Sequence, residues 1–152
     1  MKIFIGTDHR GVDVEKQIIN YLNNKGYEVV NSTIEHSESD DYPDFAFDIC
    51  KQVVNNPGSF GILMCGTGIG MSIAANKVKG IRAARCVNKS DAHYARIHND
   101  ANVICLGIND LSKEELCSII NSFIEEKEVI EPRHVNRVNK IINYENRAYN
   151  EL

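Results

Sequence analysis

Five short runs of the chain, residues 2–6, 27–31, 60–65, 81–86 and 103–107, are rich in β-branched or other apolar residues and end at Gly, Asn or a polar position. Runs of that length and makeup predict buried β-strands. Between them the apolar positions return every three or four residues. Val14/Ile18/Leu22, Phe45/Ile49/Val53 and Leu116/Ile119/Ile120/Phe123 each trace one buried helix face. Lys25-Gly26 and Asn56-Pro57-Gly58 stop a helix ahead of the next strand. Strand and helix therefore alternate, which predicts an α/β fold: a three-layer α/β/α, Rossmann-like arrangement with a five-stranded parallel sheet covered on both faces. The expected strand order is 2-1-3-4-5. No internal repeat, low-complexity segment or linker-like shift divides residues 1–152, so one domain is expected.

Composition narrows the function. Hydrophobic residues are 43% and charged residues 25%, values of a globular protein rather than a disordered one. The net charge of −4 argues against a nucleic-acid partner. No stretch approaches the roughly 18 apolar residues of a membrane span. The opening residues read as a strand with no long apolar signal core behind it. The five cysteines are odd in number and contain no CxxC pair, unlike a secreted disulfide framework or a zinc ribbon. A cytoplasmic protein without a membrane or nucleic-acid partner is expected.

Ligands of open parallel sheets bind beyond the carboxyl ends of the strands, where strand order reverses. Thr7-Asp8-His9-Arg10-Gly11 follows the first strand and Cys65-Gly66-Thr67-Gly68-Ile69-Gly70 ends and follows the third. With those strands adjacent, a carboxylate, an imidazole and a thiol meet beside a glycine-rich loop. Gly66, Gly68 and Gly70 read either as a tight turn or as a cradle of backbone N–H groups for a phosphate or a developing oxyanion. A dinucleotide fingerprint does not fit, because Met71 stands where its third glycine belongs. The thiol-phosphatase pattern needs Arg at that same position. Cys65 reads either as a small core residue or as a thiolate favoured by the helix N-terminus behind it. Asp8 reads as a helix cap or a site carboxylate, and His98 as structural or functional. Residues 113–131 hold six Glu against two Lys, a solvated acidic face. Beyond them, Arg133 and Arg137 lie one helical turn apart, either solvated or gripping one phosphate.

Taken together, Asp8-His9-x-Gly11, Asp41-Tyr42-Pro43-Asp44, Cys65-Gly-Thr-Gly-x-Gly70, Ser72-Ile-Ala-Ala-Asn-Lys77, Gly80-Ile-Arg82-Ala, His98-Asn-Asp100-Ala-Asn102 and Arg133-His-x-x-Arg137-Val resemble the type B ribose-5-phosphate isomerases across nearly the whole chain. The wider family includes allose-6-phosphate and galactose-6-phosphate isomerases. The galactose enzymes generally lack the His-Asn-Asp and Arg-His-x-x-Arg elements. The resemblance implies interconversion of ribose 5-phosphate and ribulose 5-phosphate through an enediolate, with no redox cofactor and no metal. It assigns Cys65 as the base at C2, Thr67 as a proton relay, and His98 with Asp8 to opening of the furanose ring. Gly66, Gly68, Ile69 and Gly70 would cradle the enediolate. His9, Arg133 and Arg137 would hold the phosphate, and Tyr42 and Asn99 would position the sugar. A homodimer with its site at the subunit interface is expected, with a dimer of dimers as a further possibility. A six-carbon substrate keeps the same mechanism. A non-catalytic sugar-phosphate binder would need neither base nor acid, so Cys65, Thr67 and His98 together argue against it.

Several positions depart from the family pattern. Arg10 stands where a small residue is usual, Ser32 replaces a common glycine, and Glu131-Pro132 replace a frequent Gly-Gly. Asn109 stands where many relatives carry an arginine. Its loss is expected to weaken phosphate binding by ~1–3 kcal/mol, with Arg10 as the candidate compensation.

Overall fold

The computed structural model of the chain describes residues 1–126, 129 and 131–151, the last four as backbone. The strands are β1 (Lys2–Thr7), β2 (Glu28–Asn31), β3 (Phe60–Cys65), β4 (Ala83–Arg85) and β5 (Val103–Gly107). A 3-10 turn, His9–Gly11, leads from β1 into α1 (Val12–Asn24). The remaining helices are α2 (Tyr42–Asn55), α3 (Ile69–Ala75), α4 (Lys89–Ile97), α5 (Lys113–Glu125) and α6 (Pro132–Glu151).

All strand pairs are parallel. Successive strand residues face opposite sides, so the sheet feeds two cores. Ile3, Ile5, Ile62, Met64, Ile104 and Leu106 pack with α1, α4 and α5. Phe4, Leu63, Cys65, Val103 and Cys105 pack with α2 and α3. The apolar stripes expected on α1, α2 and α5 supply the facing side chains: Ile18 and Leu22, Phe45, Ile49 and Val53, and Leu116, Ile119, Ile120 and Phe123 are buried. Ser112 and Glu115 close a reciprocal capping box at the start of α5.

The strand order is 2-1-3-5-4 rather than the expected 2-1-3-4-5. Burial explains the exchange. An internal strand is covered on both faces, and β5 meets that demand, with its first four residues buried. β4 has three residues, none fully buried, and is flanked by Arg82, so it suits the edge. The outward side of that edge is partly closed by Asn76. Its carboxamide accepts from Ala83 N (2.8 Å) and donates to Ala83 O (2.9 Å). The exchange leaves β1 beside β3, so the crevice expected between their carboxyl ends is intact.

Candidate active site

β1 and β3 run in register, with Thr7 opposite Met64. The next residues, Asp8 and Cys65, therefore emerge side by side at the carboxyl edge. Asp8 is 2% exposed and caps the 3-10 turn by accepting from Arg10 N at 3.2 Å. Its Oδ2 also accepts from Arg10 Nε (3.2 Å) and Nη2 (2.8 Å). Asp8 is thus both a cap and a crevice carboxylate. The Arg10 guanidinium is paired with Asp8 through Nε and Nη2. Gly11 is required here, since a Cβ on it would lie 2.0 Å from Thr7 Oγ1.

Beyond Cys65 the chain turns sharply through Gly66-Thr67-Gly68. Gly68 has φ of 77°, a left-handed conformation that favours glycine, and lies against the backbone of Leu106. The turn brings Gly68 N–H to 3.2 Å from Cys65 Sγ. The other four cysteines are also buried. Burial pushes Cys50 and Cys86 up to about 12, raises Cys105 well above the ordinary thiol range, and raises Cys117. Thr67 Oγ1 accepts from Ile69 N at 3.2 Å, and Arg85 Nε donates to Thr67 O at 2.9 Å. The loop rests on the end of β5, where a Cβ at Gly107 would come within 2.6 Å of Thr67 O. The Asn109 side chain lies over Gly66, and Tyr42, at the start of α2, lies against Gly70. Asp8, His9, Tyr42 and residues 65–70 thus share the carboxyl end of the sheet.

His98, Asn99, Arg133 and Arg137 are elsewhere. Helix α4 starts after β4 and runs back against the strands, so its C-cap, His98, lies at the amino end. The Asn99 and Asp100 carbonyls accept from Arg82 Nε, just before β4, at 3.2 and 2.9 Å. Asn102 O accepts from Gly61 N at the start of β3. β5 alone separates the two ends by roughly 13 Å, four steps of about 3.3 Å each. Helix α6 completes this second group. His134, 7% exposed, stacks on His98 with ring centroids 4.0 Å apart. Burial and the neighbouring His98 lower the His134 pKa. Arg133 and Arg137 follow on the exposed side of α6, and Arg133 Nε is 3.0 Å from Glu131 Oε2. A cleft of about 1030 Å³ also opens at this end, lined by Arg82, Arg96, Asp100 and Val138, and contains none of the expected site residues.

Three further buried polar side chains are not apparent from the sequence. Asp40 accepts from His9 N (2.9 Å) and His9 Nδ1 (2.6 Å), and also from His36 Nδ1 (3.0 Å). His134 lies inside the Arg133-His-x-x-Arg137 motif. Glu15 is 5% exposed, and burial pushes it up to about 7.

Comparison with known proteins defines the class. The chain belongs to the ribose/galactose isomerase family, whose sequence profile matches residues 3–141. A probable ribose-5-phosphate isomerase B of Mycoplasma pneumoniae is 42% identical over 144 residues, 94% of each chain. The ribose-5-phosphate isomerase B structure from Clostridium thermocellum superposes with a TM-score of 0.90 at 41% identity, covering 97% of this chain and 99% of that one. The Mycoplasma genitalium enzyme, solved with bound ribulose 5-phosphate, gives a TM-score of 0.88 at 41% identity over 95% and 96% of the two chains.

Proposed function

We propose that this chain is a ribose-5-phosphate isomerase of type B, interconverting ribose 5-phosphate and ribulose 5-phosphate. The observation that carries the reading is the Cys65 thiol receiving the Gly68 N–H beside Asp8 and His9, at the carboxyl edge of the sheet. In the open-chain sugar, the Cys65 thiolate removes the C2 proton. The C–H electrons form the C1–C2 double bond and the aldehyde oxygen becomes an enediolate. N–H groups of residues 66–70 stabilise that charge as it develops. Thr67 relays the O2 proton to O1 as C2 becomes the carbonyl, and Cys65 returns its proton to C1. His98, with Asp8, opens the ring. His9, Arg133 and Arg137 hold the phosphate, while Tyr42 and Asn99 orient the sugar.

An acid and a base must both come within hydrogen-bond reach of one small sugar. Cys65 and His98 lie at opposite ends of the same sheet, so this reading requires a homodimer. Each site joins the carboxyl end of one copy to the amino end of the other. Exposed apolar residues on α2 and α3 (Phe47, Val54, Ile69, Ile73) and on α6 (Ile141, Tyr144) are available to bury in such a contact. The reading puts the enzyme in the cytoplasm, where its five free cysteines stay reduced.

The test is an NMR time course in D2O with ribose 5-phosphate for the wild type and Cys65→Ala. The wild type is expected to form ribulose 5-phosphate with deuterium at C1, and the variant to form none. Activity that survives in the variant would remove Cys65 as the base. A wild type that ignores ribose 5-phosphate but converts allose 6-phosphate is a hexose isomerase. One that converts neither is a binder.

A further inference from the structure

Asp40 has no part in the chemistry described above, yet its carboxylate is built into the site. Its side chain is 7% exposed and each oxygen accepts two hydrogen bonds. Oδ1 takes the backbone N–H and the ring Nδ1 of His9, and Oδ2 takes His36 Nδ1 and Ser37 N at 3.1 Å. His36 in turn stacks on Phe45 of α2, with centroids 4.8 Å apart. The loop between β2 and α2 is thereby fastened to the turn that follows β1.

We propose that Asp40 is a positioning residue that fixes the His9 ring, and its protons, for the substrate phosphate. This rests on His9 being a phosphate contact. Burial alone would raise the Asp40 pKa, but the hydrogen bonds from His9, His36 and Ser37 outweigh it and hold the group well below the usual carboxylate range. An ionised carboxylate only accepts, so the proton between the two groups belongs to Nδ1 of His9. That reverses the Nε2–H preference of free neutral imidazole and directs the remaining nitrogen, Nε2, at the ligand. A dianionic phosphate then binds best when Nε2 takes up a second proton. The imidazolium so formed lies between two negative groups, the phosphate and Asp40. The other titratable groups around this pair include Asp8 and Arg10 on the turn, Cys65 at the end of β3, His36 on the loop, and Glu15 on α1, on which His36 acts.

Two experiments on the full-length enzyme test the assignment. In the wild type at high pH, the side-chain 15N spectrum should show His9 as the Nδ1–H tautomer. Finding Nε2–H overturns the proposal whether or not the protein is an isomerase. In kinetics, Asp40→Asn should raise KM for ribose 5-phosphate and Ki for inorganic phosphate together, by about tenfold, with kcat within about twofold. In a His9→Asn background the Asp40 substitution should add nothing further. Multiplying effects, or an unchanged KM, would mean that Asp40 only braces the loop. If the wild type proves inactive, isomerase function fails on its own. Inorganic phosphate binding and the ring tautomer then still decide the role of Asp40.

Discussion

The two ends of the sheet are built by different means. At the carboxyl end the site is made of backbone as well as side chains: a left-handed glycine and a turn of N–H groups held against the end of β5, beside the side chains of Cys65, Asp8, His9 and Tyr42. At the amino end it is made of side chains, an imidazole stack and two arginines on α6. Under the proposed function, the first end holds the base and the anion cradle together with Asp8 and His9, and the second supplies His98 and the two arginines. Neither end has the full set. Under the proposed function, packing that completes the site and packing that joins two chains are the same event.

The sharpest way to break that division is complementation. Cys65→Ala and His98→Asn should each fall below about one-hundredth of wild-type activity, since each removes an acid–base group. Mixed and allowed to exchange subunits, they should recover roughly a quarter of the wild-type rate, because half the dimers carry one intact site. No recovery after verified exchange would place both residues in the same half of the site. Next in size is thiol selectivity. At pH 8, iodoacetamide should label Cys65 at least about 100-fold faster than Cys50, Cys86 or Cys105, whose burial disfavours thiolates. Peptide mass spectrometry reads this directly, and equal labelling would dissolve the contrast among the five thiols.

A smaller effect tests the side of the carboxyl end that faces α1. Glu15, raised from 4.5 to about 7, favours the fold in its neutral form. That stability is fully present below pH 4.5 and is lost as pH rises through 7. The full linkage is about 3 kcal/mol, trimmed to about 2 by nearby solvent. Glu15→Gln should therefore stabilise the protein at pH 8 by that amount and have no effect at pH 4, as read by urea unfolding. The smallest effect belongs to the amino end. Glu131→Gln frees Arg133 from its carboxylate and should lower KM by about two- to threefold, an exposed pair being weak. An unchanged KM would separate Arg133 from the phosphate.

The sequence made the strands, the helix faces and the crevice legible, because each rests on a local pattern of apolar spacing or on glycines that a turn requires. The order of β4 and β5 was not legible. It depends on which strand is apolar enough to be covered on both faces, and chain order suggested the opposite. The carboxyl-end cluster could be read from two contiguous motifs. Asp40 could not, since it sits in a polar loop thirty-one positions from its partner His9. The His36-x-x-x-Asp40 spacing was its only local trace. Glu15 looks like an ordinary solvent-facing helix residue in a period analysis, and only the folded chain buries it. That His98 and Cys65 face opposite ways follows from the direction of α4, which the order of elements already contained.

The exchange of strand order puts a three-residue strand at the rim, where unpaired backbone groups invite another molecule to add a strand of its own. Here the carboxamide of Asn76 occupies both groups of Ala83, much as a sixth strand would. One side chain thus partly closes this edge of the sheet. Replacing it should leave catalysis in place and expose the rim, so that the cost surfaces as edge-to-edge aggregation in a crowded cell.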